Sequence, residues 1–273
     1  AMNSEADAIS IDLEDAVVEG RKAEARAAVA DWLRQPHRPS ADKLIIVRVN
    51  AMDTAHFAPD VAAVVRPGLD ILNLPKPESV DAVREAVRAI AAAERAHGVP
   101  RPVRLLLNIE TPRALRLAAE LARADERVMG LQVGLGDLFE PLGIARREVA
   151  AVAQVLFAVR MAAGEAGIEA YDGAFANVRD TEGYLAEAHM ARRFGLAGKT
   201  CIHPSQIALA NLAFRPTDAE IRHAVQVLEA AERHEAGGTG AYMVDGHMVD
   251  LPFVRRAQDV VALARRLNIH PSD

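Results

Sequence analysis

The stretch "VRLLLNIETPRALRLAAELARAD" (103–125) joins a short apolar run to a longer segment of helical period. The first part, 103–110, has the length and apolar content of a buried strand. The second part, 111–125, repeats Leu and Ala at the spacing of a helix that buries one face, and Thr111 stands where a helix N-cap is expected. A strand followed directly by a helix is the repeating unit of a parallel sheet, so this stretch predicts one βα unit.

The same unit recurs along most of the chain. The apolar runs predicted to be strands are 7–13, 43–50, 70–76, 103–110, 129–136, 169–173 and 199–204. Amphipathic segments predicted to be helices follow at 20–33, 79–98, 111–125, 147–167 and 180–195, with Ser79 and Asp180 as further N-caps and Gly98, Gly167 and Gly195 as stops.

Seven βα units are one fewer than the eight that close a TIM (β/α)₈ barrel. Because the chain opens on Ala and enters a strand by about its seventh residue, we expect a TIM barrel whose first βα unit is absent from this chain. An open doubly wound sheet is the alternative, but the glycine fingerprint that usually follows its first strand is missing after 7–13. We assign the barrel to residues 1–215, and a C-terminal extension of helix, Gly-rich hairpin and helix to residues 216–273.

Composition sets limits on the function. The chain has 273 residues, of which 51% are hydrophobic and 26% charged, which is typical of a soluble globular protein. A net charge of -6 gives no electrostatic reason to expect nucleic acid or an anionic membrane as a partner. Since neither a spanning apolar run nor a signal peptide is present, we expect a cytoplasmic protein. The single cysteine, Cys201, excludes an internal disulfide framework.

Polar residues gather on one face of the predicted strands. Alternation places Asp12 and Glu14 together on one face of the first strand, and Asn108 and Glu110 together on one face of the fourth. In a barrel this face points to the axis, and the C-terminal strand ends line the active-site mouth. Six of the seven strands carry a charged or titratable residue there, which favours a functional site: Glu14, Arg48, Lys76, Glu110, Asp137 and His203.

The types of these residues suggest the chemistry. Glu110 and Asp137 supply hard oxygen ligands from neighbouring strands, as Mg²⁺ prefers, and no His/Cys cluster with zinc spacing competes with them. Arg48 beside such a metal suits a substrate carboxylate. A divalent cation together with an arginine is a device for binding 2-oxo or hydroxy acids and polarising their oxygens.

Seven motifs resemble, in order, those of the citrate lyase beta-subunit family within the aldolase/citrate lyase superfamily. They are "ADAISIDLEDAV" (6–17), "RVNAMDT" (48–54), "LNLPKPES" (72–79), "NIETPRAL" (108–115), "GLGDLFEPLG" (134–143), "GKTCIHPSQI" (198–207) and "DGHMVDLPFVRRA" (245–257). The resemblance implies a TIM barrel assembled as a homotrimer or hexamer. It also implies Mg²⁺-dependent cleavage or formation of a β-hydroxyacyl-CoA thioester, such as malyl-, citramalyl- or citryl-CoA, with acetyl-CoA and a 2-oxo acid as the other partners.

The motifs also imply roles for single residues. By resemblance, Glu110 and Asp137 would hold the metal, and Arg48 would grip the substrate. Asp250 would be the acid/base for the acetyl methyl group, offered by the C-terminal segment of a neighbouring subunit.

Other residues near these positions receive roles from their own chemistry. We expect Glu14 and Asp15 to hold metal-bound waters and to position Arg48, which makes Glu14 a catalytic candidate and Asp15 a substrate-binding one. Asp12 is predicted to be buried and structural. Lys76 and Lys22 either contact substrate or pair with these carboxylates, and His203 is either a strand terminus or a base.

The chain departs from the family's motifs at two places, and its residues also fit two alternative functions. Family members usually begin with "LFVPG" and "RPER" segments that help to bind CoA, and this chain has neither; many also carry Glu where this chain has Gly136, which suggests a different substrate. The residues alone also fit a metal-dependent aldolase of free hydroxy-oxo acids without CoA. A non-catalytic subunit or scaffold that binds acids is the third possibility.

Overall fold

The computed structural model describes residues 2–35, 43–235 and 241–269. The chain divides into two compact units, Ala1–Ala213 and Phe214–Asp273. The first carries a parallel sheet with its helices, and the second is a helical unit with a small hairpin.

In the part of the first unit that the structure describes, the sheet has seven parallel strands. They are β1 (Ala8–Asp12), β2 (Leu44–Arg48), β3 (Ile71–Leu74), β4 (Arg104–Ile109), β5 (Val128–Val133), β6 (Glu169–Asp172) and β7 (Gly198–Lys199). Each strand pairs with the next one along the chain, in the order β1 to β7. A doubly wound sheet reverses its strand order at a switch point, so the sequential order rules out the open doubly wound alternative and is the order found in a TIM barrel.

The helices of the first unit follow the predicted pattern with some differences. They are α1 (Lys22–Arg34), α2 (Phe57–Val64), α3 (Val80–His97), α4 (Pro112–Arg116), α5 (Ala118–Ala122), α6 (Leu135–Phe139), α7 (Val149–Glu165), α8 (Thr181–Arg193) and α9 (Ser205–Phe214). Four predicted helices are confirmed to within a few residues as α1, α3, α7 and α8. The predicted helix 111–125 is two short helices, and α2, α6 and α9 were not predicted.

Helix α3 illustrates why these segments fold as they do. Ser79 caps its start, because the Ser79 hydroxyl accepts from the Ala82 N–H at 3.1 Å. Its buried side chains recur at helical spacing and so form one apolar face: Val83, Ala86, Ile90 and Ala93. Gly98 ends it with φ +62°, a left-handed conformation that glycine adopts without a steric penalty.

The last predicted strand is the largest error of the sequence analysis within the sheet. The run 199–204 was expected to be a strand, but pairing ends at Lys199. Cys201 and His203 therefore lie in the loop that precedes α9, and Cys201 is half-buried in that loop rather than at a buried strand position.

The second unit consists of α10 (Asp218–Glu235), the antiparallel pair β8 (Tyr242–Val244) and β9 (His247–Val249), and α11 (Leu251–Arg266). These elements lie within the range 216–273, of which residues 236–240, including most of the expected Gly-rich stretch, are outside the described part of the chain. Their apolar faces share one core that includes Ala224, Val227, Val244, Val249, Ala257 and Val261.

Across the described ranges, no helix combines the length and the apolar composition that crossing a membrane requires.

Candidate active site

Five carboxylates and two cationic side chains meet at the C-terminal ends of β1 to β5. We call this group the acidic site: Asp12, Glu14, Asp15, Arg48, Lys76, Glu110 and Asp137. Glu14 and Glu110 are buried, with Glu110 only 2% exposed, whereas the side chains of Asp15 and Asp137 are 58% and 43% exposed. The acids therefore range from the buried edge of the sheet to its open mouth.

Arg48 binds three carboxylates, one at the end of β1 and two in the loop that follows it. Asp12 lies directly opposite Arg48 in the pairing of β1 with β2, and its two oxygens accept from Arg48 Nε at 2.8 Å and Nη2 at 2.6 Å. Arg48 Nη1 pairs with Glu14 Oε2 at 2.9 Å and more loosely with Asp15 Oδ2 at 3.5 Å. The edge of the guanidinium that suits a carboxylate is thus already occupied by Asp12.

Asp12 is less buried than the sequence suggests. Its side chain is 23% exposed, because it stands at the end of β1 and turns toward Arg48. It also organises the loop that follows, since its oxygens accept from the N–H groups of Glu14 at 2.9 Å and Ala16 at 3.0 Å.

Lys76 contacts acids that follow three different strands, β1, β4 and β5. Its ammonium donates to Glu14 Oε1 at 3.0 Å and lies 3.5 Å from Asp137 Oδ1, while its backbone N–H donates to Glu110 Oε1 at 3.1 Å. The residue has φ +48°, a left-handed conformation that is uncommon for lysine. Both the backbone and the side chain of Lys76 thus hold carboxylates of the site.

Burial and neighbouring charges shift the pKa values of three acids of the site. Burial raises the pKa of Glu110 to about 7, and the negative charges of Glu14 and Asp137 add to the effect. Burial also raises the pKa of Glu14, although Arg48 and Lys76 oppose the change. For Asp12, burial is outweighed by the hydrogen bond and charge of Arg48, so its pKa is lowered.

This charge balance fits a divalent cation. Arg48 and Lys76 leave the five carboxylates incompletely neutralised, and Glu14 Oε2 is buried without a hydrogen bond among the described residues, although it is ion-paired with Arg48. In the described part of the chain, no group of three or more His, Cys, Asp or Glu side chains forms a complete metal cage. Mg²⁺ does not need one, because it commonly binds one or two carboxylates and completes its shell with water and substrate.

A second layer of contacts fixes the loop that carries Glu14. The ammonium of Lys22 donates to the carbonyl oxygens of Leu13 and Glu14 at 3.1 and 2.9 Å, and to Asn50 Oδ1 at 2.5 Å. Of the two roles left open for Lys22, pairing with the carboxylates is not what the structure shows: its acceptors are backbone and amide oxygens. Its role is to hold the loop in place.

Asp60 is a buried residue that the sequence analysis missed. It lies on α2 and accepts from Arg26 Nε at 2.6 Å and from Asn50 N and Nδ2 at 3.0 and 2.6 Å. Because α2 was not predicted, no sequence signal pointed to Asp60 as the partner of Asn50 in "RVN".

Two predicted residues remain, His203 and Asp250. His203 is exposed, and its Nδ1 pairs with Ser205 Oγ at 2.9 Å at the start of α9. Asp250 belongs to the second unit, where it precedes α11 without capping it through its side chain. Its Oδ1 is buried and has no hydrogen-bond partner among the described residues.

Comparison with known proteins shows which family this sequence matches. Residues 1–204 match the family model of the HpcH/HpaI aldolase/citrate lyase family. The citrate lyase subunit beta of Leuconostoc mesenteroides subsp. cremoris is 34% identical, over 98% of this chain and 89% of that protein. The L-malyl-CoA/beta-methylmalyl-CoA lyase of Rhodobacter capsulatus is 29% identical, over 97% of this chain and 90% of that protein.

A solved structure agrees with these relatives. Protein CitE from Mycobacterium tuberculosis, in complex with magnesium, acetoacetate and coenzyme A, superposes with a TM-score of 0.75 at 32% identity, over 95% of this chain and 90% of that one. The resemblance to citrate lyase beta subunits predicted from the motifs is confirmed. The chain belongs to the HpcH/HpaI aldolase/citrate lyase family.

Proposed function

We propose that the protein is a Mg²⁺-dependent carbon–carbon lyase that cleaves or forms a β-hydroxyacyl-CoA thioester of the malyl-, citramalyl- or citryl-CoA type. The products of cleavage are acetyl-CoA and a 2-oxo acid. The observation that carries the proposal is the excess of carboxylates at the acidic site, where Glu110, directly after β4, and Asp137, on α6, both lie beside Lys76. Relatives named as citrate lyase subunit beta and malyl-CoA lyase support it.

Glu110 and Asp137 are the proposed metal ligands. Glu110 approaches from the buried side and Asp137 from the open side, which leaves room for water and substrate to complete the shell. Bound there, Mg²⁺ would supply Lewis acidity to the oxygens of the 2-oxo acid. Without the cation, the ammonium of Lys76 is the nearest counter-charge to Asp137 in the contacts of the site.

Arg48 and Lys76 are proposed to orient the substrate acid. Asp12 occupies the Nε and Nη2 edge of Arg48, so Nη1 is the group that can exchange a partner. Its contact with Asp15 is the longest of the three and involves an exposed side chain. We therefore place the substrate carboxylate at Nη1, where it would replace Asp15, while Glu14 keeps Arg48 and Lys76 in position.

Asp250 is proposed as the acid/base of the reaction. In the condensation direction it removes a proton from the acetyl methyl group, the resulting carbanion attacks the keto carbon of the 2-oxo acid, and the alkoxide formed takes up a proton from solvent to become the hydroxyl group. In cleavage the hydroxyl group loses its proton to solvent, the carbon–carbon bond breaks, and Asp250 returns a proton to the methyl carbon. Its free Oδ1 and the absence of a capping bond support a role other than starting α11.

We propose that Asp250 acts in the site of a neighbouring subunit of a homotrimer or hexamer. Exposed apolar side chains surround it in sequence, as expected for a segment that docks against another subunit: Met243, Met248, Leu251 and Phe253. The division into a catalytic barrel, 1–215, and an extension that contacts the neighbour, 216–273, belongs to the same proposal. Closure of the sheet into a complete eight-stranded barrel and a cytoplasmic location also stay predictions.

The test of the activity is an assay of the purified protein with Mg²⁺ against malyl-, citramalyl- and citryl-CoA, with free 4-hydroxy-2-oxo acids in parallel. We expect release of acetyl-CoA from at least one thioester and its loss with EDTA. Turnover of the free acids alone would favour the CoA-independent aldolase, and no turnover of either class would favour a non-catalytic subunit.

Complementation tests the origin of Asp250. The variants Asp250→Asn and Glu110→Gln should each be inactive alone, but co-expressed subunits should form mixed oligomers in which some sites combine an intact Asp250 with an intact Glu110. Random mixing would restore about a quarter of the sites if each site takes Asp250 from a neighbour. Inactive mixed oligomers would show that Asp250 does not act across subunits.

A further inference from the structure

Gly134 faces Glu110 across the ends of β4 and β5. The pairing of these strands places Ile109 opposite Val133, so the next residue on each side, Glu110 and Gly134, are opposite each other. The Gly134 N–H also donates to the Ile109 carbonyl at 3.0 Å. The close approach of Gly134 to Glu110 is therefore set by the register of the sheet.

Backbone conformation does not explain glycine at this position. Gly134 has φ -113° and ψ 74°, outside the positive-φ region that favours glycine. Space does explain it. A Cβ on Gly134 would overlap the Glu110 Cβ and would lie 2.5 Å from Glu110 Oε2 and 3.3 Å from Cδ.

The overlap between an added Cβ at position 134 and Glu110 cannot be relieved at a small energetic cost. The Cβ of Glu110 is fixed to its backbone and cannot rotate away, so a side chain at 134 would have to separate the ends of β4 and β5 or displace the carboxylate. The carboxylate is also held from its other side, because Glu110 Oε1 accepts the Lys76 N–H. Glu110 is thus confined between Lys76 and the bare backbone of Gly134.

We propose that Gly134 is a positioning residue for the metal ligand Glu110: by carrying no side chain, it provides the space in which the Glu110 carboxylate lies. Gly134 also accepts the N–H of Leu138 and so begins α6, the helix that carries Asp137. One residue without a side chain thus contributes to the placement of both proposed ligands. The inference rests on the proposed metal site.

Gly136 provides a matched control. It lies two residues further on, within α6, and an added Cβ there meets no atom within 4 Å. Gly134→Ala and Gly136→Ala thus add the same methyl group to the same motif, one in contact with Glu110 and one in open space.

The first measurement is Mg²⁺ binding by titration calorimetry on the purified variants, which does not depend on activity. We expect Gly134→Ala to raise the Kd for Mg²⁺ by about 10-fold or more, as disturbance of a ligand's surroundings does elsewhere. Gly136→Ala should stay within about twofold of the wild type on the same scale. A folded Gly134→Ala protein with the wild-type Kd would overturn the proposal.

A double-mutant cycle of thermal stability tests the contact between residues 134 and 110. It applies even if the Gly134→Ala variant alone does not fold. Glu110→Gly removes the Cβ and the carboxylate that the new methyl would meet, so Gly134→Ala should lower Tm much less in the Glu110→Gly background than in the wild type. If Gly134→Ala does not fold, the double variant should. An equal loss of Tm in both backgrounds, or a double variant that also fails to fold, would refute the role of Gly134. Wild-type protein that bound no Mg²⁺ would instead overturn the proposed function, and the cycle would still decide whether Gly134 makes room for Glu110.

Discussion

Two groups of charged residues lie at the same edge of the sheet, and they differ in charge balance. In the acidic site, five carboxylates meet two cationic side chains among the described residues, Arg48 and Lys76. At the ends of β6 and β7 lies a second group, which we call the buried ion network: Arg146, Asp172, Glu187 and Lys199. There, Lys199 Nζ donates to Asp172 Oδ2 at 2.6 Å and to Glu187 Oε1 at 2.7 Å, and Arg146 binds both oxygens of Glu187 at 3.0 Å.

The charge balance distinguishes a ligand-binding site from a structural ion network. Two cations match two anions in the buried ion network, and the side chains of Asp172 and Lys199 are fully buried. Such a group has no need of an external ion, whereas the acidic site has negative charge left over and an open side. The chemical types of the residues are the same, so the difference in balance, not in composition, indicates where a cation and a substrate bind.

The largest expected effect is loss of activity from the acidic site. Glu110→Gln and Asp137→Asn keep the shape of each side chain but remove the charge, so kcat/KM should fall by more than about 100-fold, since loss of even an outer partner of a metal ligand costs about 10–100-fold. The variants should fold normally, because no positive group loses its only partner.

Steady-state kinetics with Mg²⁺ measure this effect. Glu120→Gln, which alters an exposed carboxylate on α5, is the control and should retain wild-type kinetics. Activity in both site variants would show that the metal assignment is wrong.

Substitutions in the buried ion network should instead lower the stability of the fold. Lys199→Met leaves Asp172 buried without its counter-ion, which should lower the free energy of unfolding by about 3–5 kcal/mol. Urea denaturation measures the change. Arg123→Met breaks the exposed pair with Glu165 at 2.9 Å and should cost no more than about 1 kcal/mol. Equal effects of the two substitutions would remove the distinction drawn between a balanced buried network and a surface pair.

The pH dependence of stability gives a smaller effect in the same network. Burial disfavours the charged form of Glu187, but Arg146 and Lys199 outweigh it and lower its pKa below the ordinary value near 4.5. A carboxyl group whose pKa is lower in the folded state stabilises the fold above the unfolded pKa, and this stabilisation is lost as the pH falls through the folded pKa.

Comparison with Glu187→Gln isolates this contribution. The wild type should exceed the variant in unfolding free energy by about 1–3 kcal/mol at pH 7, and the difference should shrink below pH 4.5. Denaturation curves at several pH values measure it. A difference that is constant or grows toward low pH would contradict the assigned direction.

Local sequence patterns predicted that several residues of the acidic site lie close together. Alternation along each strand needs no long-range information, so it placed Asp12, Glu14 and Arg48 on a common face, and the structure brings them into contact. The buried ion network escaped prediction because its members come from β6, a loop, α8 and β7, and only tertiary packing brings them together. The same holds for Gly134, whose importance depends on the register between β4 and β5.

Substitution of Asp15 has the smallest expected effect. It tests whether the excess negative charge of the acidic site influences substrate binding at the exposed rim. Its carboxylate is 58% exposed and makes one contact of 3.5 Å with Arg48, so Asp15→Asn should change the free energy of unfolding by less than about 0.5 kcal/mol. Removal of its charge leaves Glu14 as the carboxylate at Arg48 Nη1 and reduces repulsion of the incoming substrate carboxylate. We therefore expect the KM for the 2-oxo acid in the condensation direction to fall roughly two- to fivefold, the size of a surface charge contact of up to about 1 kcal/mol. A rise in KM would show instead that Asp15 binds the substrate itself, and the acidic site would then extend to the rim of the first βα loop.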